Sequence, residues 1–230
     1  MSQQRIVVAI DGPAGAGKST IAKSVAAKLG FIYIDTGAMY RAVALWALRA
    51  GIPETDVHKL EQLALQAEIT FAAGSQTVFL NGEDVTEAIR QPAVSTAASK
   101  VSAITGVRRA LVEKQREMGA VGSVVMEGRD IGSVVFPDAR VKIFLDAPSP
   151  ERVKRRKLEL AGRGLQAETH ATAKAMDERD HRDRTRAEAP LVQAPDAVYV
   201  DSGSLTIEEV EQQVLKIIRE RTANGKEYSR

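Results

Sequence analysis

Gly12-Pro13-Ala14-Gly15-Ala16-Gly17-Lys18-Ser19-Thr20 follows a short β-branched run and leads into a helical pattern. Glycines at this spacing let the backbone take φ > 0 and turn successive N–H groups toward one anion. The helix that begins near Lys18 adds the positive end of its dipole. A lysine and a hydroxyl directly after the last glycine complete G-x-x-x-x-G-K-[ST], the P-loop spacing. In it the lysine reaches the β- and γ-phosphates and the Ser19 hydroxyl holds Mg²⁺. Residues 12–20 are therefore expected to bind a nucleoside triphosphate. A tight strand-to-helix turn carrying a surface lysine would need neither the full pattern nor its flanks.

Three groups of arginines set among acids narrow the use of that triphosphate. "DTGAMYR" (Asp35 to Arg41) opens a helix at the C-terminal end of a strand, the end that faces the ligand crevice of an open parallel sheet. Arg41 there either faces solvent or reaches an anion near the helix start. "EGRDIG" (Glu127 to Gly132) follows another strand, and its consecutive Arg129 and Asp130 are expected to contact different parts of a ligand. Glu127 is either a strand-end acid near Mg²⁺ or a carboxylate that organises the loop. "DERDHRDRTRAEAP" (Asp177 to Pro190) places Arg179, Asp183 and Arg186 at i, i+4 and i+7, on a face shared with Arg182, with Asp180 and Arg184 one turn apart beside them. Such a run is by default a solvated helix laced by ion pairs. Phosphoryl transfer between two phosphate-bearing molecules, however, needs several cations that arrive on closure. A mobile arginine-rich lid, stitched to itself by aspartates while open, meets that need.

An absence points the same way. The chain has no Asn-Lys-x-Asp guanine reader, no H-R-D-x-x-x-x-N catalytic loop and no other evident general base. A hydroxyl acceptor would gain from a base. A phosphate monoester, with a second pKa near ~6, is already largely dianionic at neutral pH and needs none. Arginines without a base point to a nucleoside monophosphate as acceptor.

Elements that could position these groups are legible along the chain. Arg5 to Ile10 reads as a buried strand, Lys18 to Leu29 as a helix stopped by Gly30, and Phe31 to Asp35 as a second strand. A second helix opens at Thr36-Gly37 and ends near Gly51. Strand, helix, strand, helix implies parallel pairing. Then the rhythm breaks. A short helix at Val57 to Gln66 precedes Glu68 to Phe71 and Thr77 to Leu80, with turns at Ala73-Gly74-Ser75 and Asn81-Gly82, a small antiparallel meander. Ser95 to Met118 is helical, and strands resume at Ser123 to Glu127, Val141 to Asp146 and Ala197 to Asp201. Ser149-Pro150 is expected to cap and start a helix. A last helix spans Thr206 to Arg221, before a polar tail from Asn224. The expected fold is α/β, with about five parallel strands flanked by helices.

Bulk properties set the outer limits. The chain has 230 residues, 44% hydrophobic and 27% charged, as in ordinary soluble domains. Its net charge of +2 is too mild to suggest a nucleic-acid or membrane-surface protein. It has no cysteine, which removes disulfides, thiolate metal sites and cysteine nucleophiles. His58, His170 and His181 lie far apart, without metal-ligand spacing, and are expected to face solvent. No apolar stretch resembles a signal peptide or membrane span, so a cytoplasmic monomer is the default expectation.

"GPAGAGKST", "DTGAMYR", "GRDIGSVVFPDA", "KIFLDA" and "ERDHRDRTRAEAPL", in this order and at these spacings, closely resemble the bacterial cytidylate kinase family, from Ile6 to about Ile218. The meander from Glu68 to Val85 resembles the insert that bacterial members carry in their monophosphate-binding region. The resemblance implies one P-loop kinase domain: a core of residues 1–58, 119–150 and 191–222, a monophosphate-binding region at 59–118, a lid at 151–190 and a tail at 223–230. It implies ATP and Mg²⁺, with CMP or dCMP as acceptor. Thr36, Arg41, Ser99, Arg108, Arg129, Asp130, Arg179, Asp183 and Arg186 match family positions that hold the monophosphate. Of these, Ser99, Arg108 and Asp130 would read the cytosine edge, which needs both donors and acceptors. Arg41, Arg129 and Arg186 would hold the acceptor phosphate, and Arg179 with Asp183 would reach the sugar. Thr36 stands where many members carry serine, and the hydroxyl is kept. Arg155 and Arg156 fall where the lid meets ATP, and the main chain at Ser202 to Leu205 would contact adenine. The alternatives are a P-loop kinase for another small acceptor, such as UMP or shikimate, and a nucleotide-dependent switch without enzymatic purpose.

Overall fold

Strand and helix alternate from the start of the described chain, which in this computed structural model comprises residues 5–72, 77–166 and 168–222. β1 (Val7–Asp11) leads to α1 (Lys18–Leu29), and β2 (Ile32–Asp35) leads directly to α2 (Thr36–Arg49). α3 (Val57–Gln66) precedes three short strands, β3 (Ile69–Phe71), β4 (Val78–Leu80) and β5 (Glu83–Asp84). α4 (Pro92–Val101) and α5 (Thr105–Val121) come next, then β6 (Val124–Gly128) and β7 (Val141–Asp146). α6 (Ser149–Ala161), α7 (Thr169–Thr185), β8 (Val198–Asp201) and α8 (Ile207–Thr222) complete the order.

The main sheet runs β2-β6-β1-β7-β8, and β1 pairs in parallel with both β6 and β7. Strand order reverses around β1, so the crevice at the C-terminal strand ends opens where β1 gives way to α1. Register puts Asp11 beside Gly128 on one side and Phe144 on the other. The loops that leave β1 and β6 therefore start level with each other. These strands are apolar almost throughout because helices cover both sheet faces.

Two compact units divide the chain: Met1–Tyr33 with Ser123–Arg230, and Ile34–Gly122. The first has a core of Val8, Ile10, Val125, Ile143 and Leu145 from the sheet, packed with Ile21 and Val25 of α1 and Val214 and Ile217 of α8. The second packs α2 against α4 and α3 against α5. Its core holds Met39, Val43, Leu60, Val94 and Leu111 with many alanines, whose small side chains let helix axes approach. The antiparallel β3-β4-β5 meander belongs to this second unit, as the sequence suggests.

Departures from the sequence reading have local causes. Ser149 does not cap α6. Pro148 holds the cap position in an extended conformation, and its carbonyl accepts from the amides of Glu151 at 3.0 Å and Arg152 at 3.2 Å. The helical stretch expected from Ser95 to Met118 is two helices, broken at Ser102-Ala103-Ile104, where the last turn of α4 tightens and Ile104 turns extended. Arg186 lies just past α7 in an extended conformation rather than on its face. The expected turn at Ala73-Gly74-Ser75 and the polar tail at 223–230 fall outside the described residues.

Candidate active site

Residues 12–17 form the turn between β1 and α1, and its glycines are obligatory for steric reasons. Gly12 has φ +150°, and a Cβ there would sit 1.9 Å from the Leu145 carbonyl oxygen of β7. Gly15, at φ +77°, would drive a Cβ to 2.8 Å from the Arg152 carbonyl oxygen and 3.0 Å from the Met176 side chain. Helices α6 and α7 thus close tightly over the loop. Lys18 is buried, and its Nζ donates to the Pro13 carbonyl at 2.7 Å, folding the side chain back across the loop. Burial lowers its pKa to about 7, helped by Arg129 and Arg179 and opposed by Glu127 and Asp11. The hydroxyls of Ser19 and Thr20 begin α1 and are exposed.

The loop after β6 carries the acids and arginines that face this lysine. Arg129 Nε donates to Asp183 Oδ2 at 2.9 Å, joining the loop to α7. Burial works against the Arg129 charge, but Asp183, Asp180 and Glu127 together more than offset it and hold the guanidinium above its ordinary pKa. Burial likewise opposes the Asp183 carboxylate, yet Arg129, Arg179 and Arg186 together keep its pKa below the usual range. Arg186 approaches Asp130 at 3.6 Å and Asp183 at 3.7 Å, and Arg179 approaches Asp183 at 3.9 Å. One carboxylate therefore gathers three of the expected site arginines. Glu127 is buried and accepts from the Tyr33 hydroxyl of β2, and its charge acts on Lys18.

Asp183 ties the arginine-rich stretch to itself through Arg179 and Arg186, as the sequence suggests, but Asp180 does not. Asp180 is 3% exposed and pairs with Arg152 of α6, itself buried. Arg152 also donates to the carbonyls of Ala147 and Ala14, each at 3.0 Å, and the Ala14 amide lies 3.4 Å from Asp180 Oδ1. The pair grips both polar groups of one residue in the phosphate loop. Arg184, expected to stack on Asp180, is exposed. Arg155 donates to the Ser202 hydroxyl at 2.8 Å, beside the stretch expected to contact adenine. Arg156 pairs at 2.7 Å with Glu159 on its own helix and is held away from the loop.

In the second unit, Asp35 caps α2 by accepting from the Ala38 amide at 3.0 Å, an interaction worth about 1 kcal/mol. Its other oxygen accepts from Arg41 at 2.8 Å, so Arg41 is held over the helix start and not released to solvent. Thr36, the first residue of α2, is buried. Arg108 is 3% exposed, stands 5.4 Å above the Tyr40 ring and donates to the Ser102 carbonyl at 3.2 Å. Ser99 is buried one turn before, and its carbonyl accepts from the Ser102 hydroxyl. The break between α4 and α5 is what brings Ser99 and Arg108 into one cluster.

Sequence reasoning missed Asp11 and Arg152. Asp11 ends β1, is 5% exposed, and accepts from the amides of Ile131 at 2.8 Å and Gly132 at 2.7 Å. Burial raises its pKa to about 6 despite those two donors. An acid closing an apolar strand was the available signal. For Arg152 there was none, because one arginine in a charged helix looks like any other. His58, His170 and His181 are all exposed, as expected. Among the described residues, no group of three or more His, Asp or Glu is arranged to hold a metal ion.

A glycine loop between β1 and α1, a buried lysine aimed across it and arginines on the neighbouring strand end define a P-loop kinase. A solved structure of an uncharacterized protein from Eubacterium ventriosum shares the fold, with a TM-score of 0.54 at 12% identity, covering 94% of this chain and 99% of that one. The family model described as cytidylate kinase matches residues 8–220, and the chain belongs to that family. A curated cytidylate kinase from Solibacter usitatus is 62% identical over 229 residues, covering 99% of this chain and 98% of its own length. Another, from Geobacter sp. strain M21, is 53% identical over 222 residues, covering 96% and 95%.

Proposed function

We infer that the protein transfers the γ-phosphoryl group of ATP to CMP or dCMP, giving ADP and CDP or dCDP. Family membership over nearly the whole chain carries this reading, and the chemistry of the site supports it. An oxygen of the acceptor phosphate attacks the γ-phosphorus, and the bond from that phosphorus to the β–γ bridging oxygen breaks as ADP leaves. The acceptor is a dianion at neutral pH, so no protein base takes a proton. What the site must supply is positive charge.

Lys18 supplies it conditionally. Burial and two arginines hold its pKa near 7, and an arriving triphosphate favours the charged form, so the lysine becomes cationic as the anion binds. Residues 12–20 cradle the donor phosphates. Mg²⁺, when bound, neutralises charge between the β- and γ-phosphates. The exposed Ser19 hydroxyl offers it a hard oxygen, which suits an ion that prefers phosphates and water to an all-protein cage. Arg41, Arg129 and Arg186 hold the acceptor phosphate, Arg179 and Asp183 the sugar, and Ser99, Arg108 and Asp130 the cytosine edge, with Thr36 beside the phosphate. Residues 151–190 act as a lid that excludes water, and Arg156 turns from Glu159 to ATP. The protein works as a cytoplasmic monomer on small nucleotides. Among the described residues no helix is long and apolar enough to cross a membrane.

An acceptor panel tests the reading. With Mg-ATP, CMP and dCMP should give stoichiometric ADP and nucleoside diphosphate, whereas AMP and shikimate should give only background ATP hydrolysis. ADP release that ignores every monophosphate would overturn it.

A further inference from the structure

We propose that Asp11 is a positioning residue that fixes the donor loop against the acceptor loop, so that the two reacting phosphates stand in line. The proposal rests on the kinase reading above. Asp11 immediately precedes Gly12, the first residue of the phosphate loop, and its two carboxylate oxygens accept separately from Ile131 and Gly132 at 2.8 and 2.7 Å. Those amides come directly after Arg129 and Asp130, the residues assigned to the acceptor. One buried side chain therefore bridges the residue before the donor site and the residues after the acceptor site, across 120 positions of sequence.

The fit leaves little slack. A Cβ on Gly132 would press on the Lys142 side chain at 3.1 Å and come into contact with Asp11 Oδ2 at 3.4 Å. Parallel register already sets Asp11 beside Gly128, so strand pairing aligns the bases of the two loops and the carboxylate aligns Ile131 and Gly132 beyond them. A carboxylate suits this role because both oxygens only accept, as two N–H donors require. Asparagine has the same shape but must turn its NH₂ toward one of those donors. An apolar residue would avoid the cost of burying a carboxylate but would leave both buried amides without an acceptor. In-line transfer is sensitive to sub-ångström displacement, which gives the charge a use.

The test is Asp11→Asn, with Gly132→Ala, whose methyl presses on Lys142 beside the contact, as a second and milder perturbation. ADP, CDP and inorganic phosphate are measured together with saturating Mg-ATP and CMP. The expected result is a fall of about 10²-fold in kcat with the KM values for CMP and ATP within about threefold of wild type. The ratio of CDP to inorganic phosphate should drop at least tenfold, since misaligned ATP still meets water. That ratio does not depend on how much protein is folded, so simple loss of structure leaves it unchanged. An unchanged ratio in both variants overturns the proposal. Wild-type protein that makes no CDP in the same assay would instead overturn the kinase reading.

Discussion

The two units solve different problems with different forces. In the first, three expected site arginines have a carboxylate within 4 Å: Arg129 and Arg179 have Asp183, and Arg186 has Asp130 and Asp183. In the second, Arg41 has Asp35 at 2.8 Å, while Arg108 stands over an aromatic face and donates to a backbone carbonyl, inside a core rich in alanine. A group that must stabilise moving negative charge needs a counter-charge to survive burial before substrate arrives. The lesson is that the arginines beside the phosphate loop and at the start of α2 are steadied by acids, whereas Arg108 is seated against an aromatic ring within apolar packing.

That contrast can be broken at its strongest point first. Lys18→Met should lower turnover by at least about 10³-fold in a coupled ADP-release assay, while CMP affinity by calorimetry stays within a few fold. Next comes the division of labour. Arg129→Met should cut kcat by about 10²- to 10³-fold, whereas Arg108→Met should raise KM for CMP by about 10- to 100-fold with kcat changed only a few fold. An equal loss of kcat in the two variants would erase the distinction between the units.

Stability sharpens the comparison. Arg152→Met strands the buried Asp180 carboxylate and should cost about 3–5 kcal/mol, read from chemical denaturation. Arg49→Ala, which removes an exposed pair with Glu83 in the second unit, should cost less than about 1 kcal/mol.

A further effect concerns Lys18 in the absence of nucleotide. Its folded pKa is about 7 against an ordinary 10.5, so between those values the unfolded chain holds the proton more tightly. Protonation thus weakens the fold, fully below about pH 7 and progressively less as pH rises toward 10.5. Lys18→Met should therefore melt a few degrees above wild type at pH 7, with the gap closing by pH 10 in scanning calorimetry.

Much of this was legible in the chain. α1, α3 and β7 run between the residues that periodicity indicates, because an apolar face repeats with one clear period, and Gly30 after α1, Asp56 before α3 and Pro148 beyond β7 mark ends. The P-loop was legible for the same reason, since its function depends on adjacent backbone groups. Arg186 was misplaced because helical spacing carries no record of where a helix stops. Asp180 looked like surface charge because its partner, Arg152, lies 28 positions away.

Sequence alone determined the kind of chemistry: a triphosphate cradle, a surplus of arginine around it, and no base. Those traits depend on residue type and short spacing, which a linear string preserves. Only the tertiary structure decided which acid steadies which cation and that Asp11 joins two loops. Such pairings arise when distant segments are buried together, and burial is a property of the packed molecule.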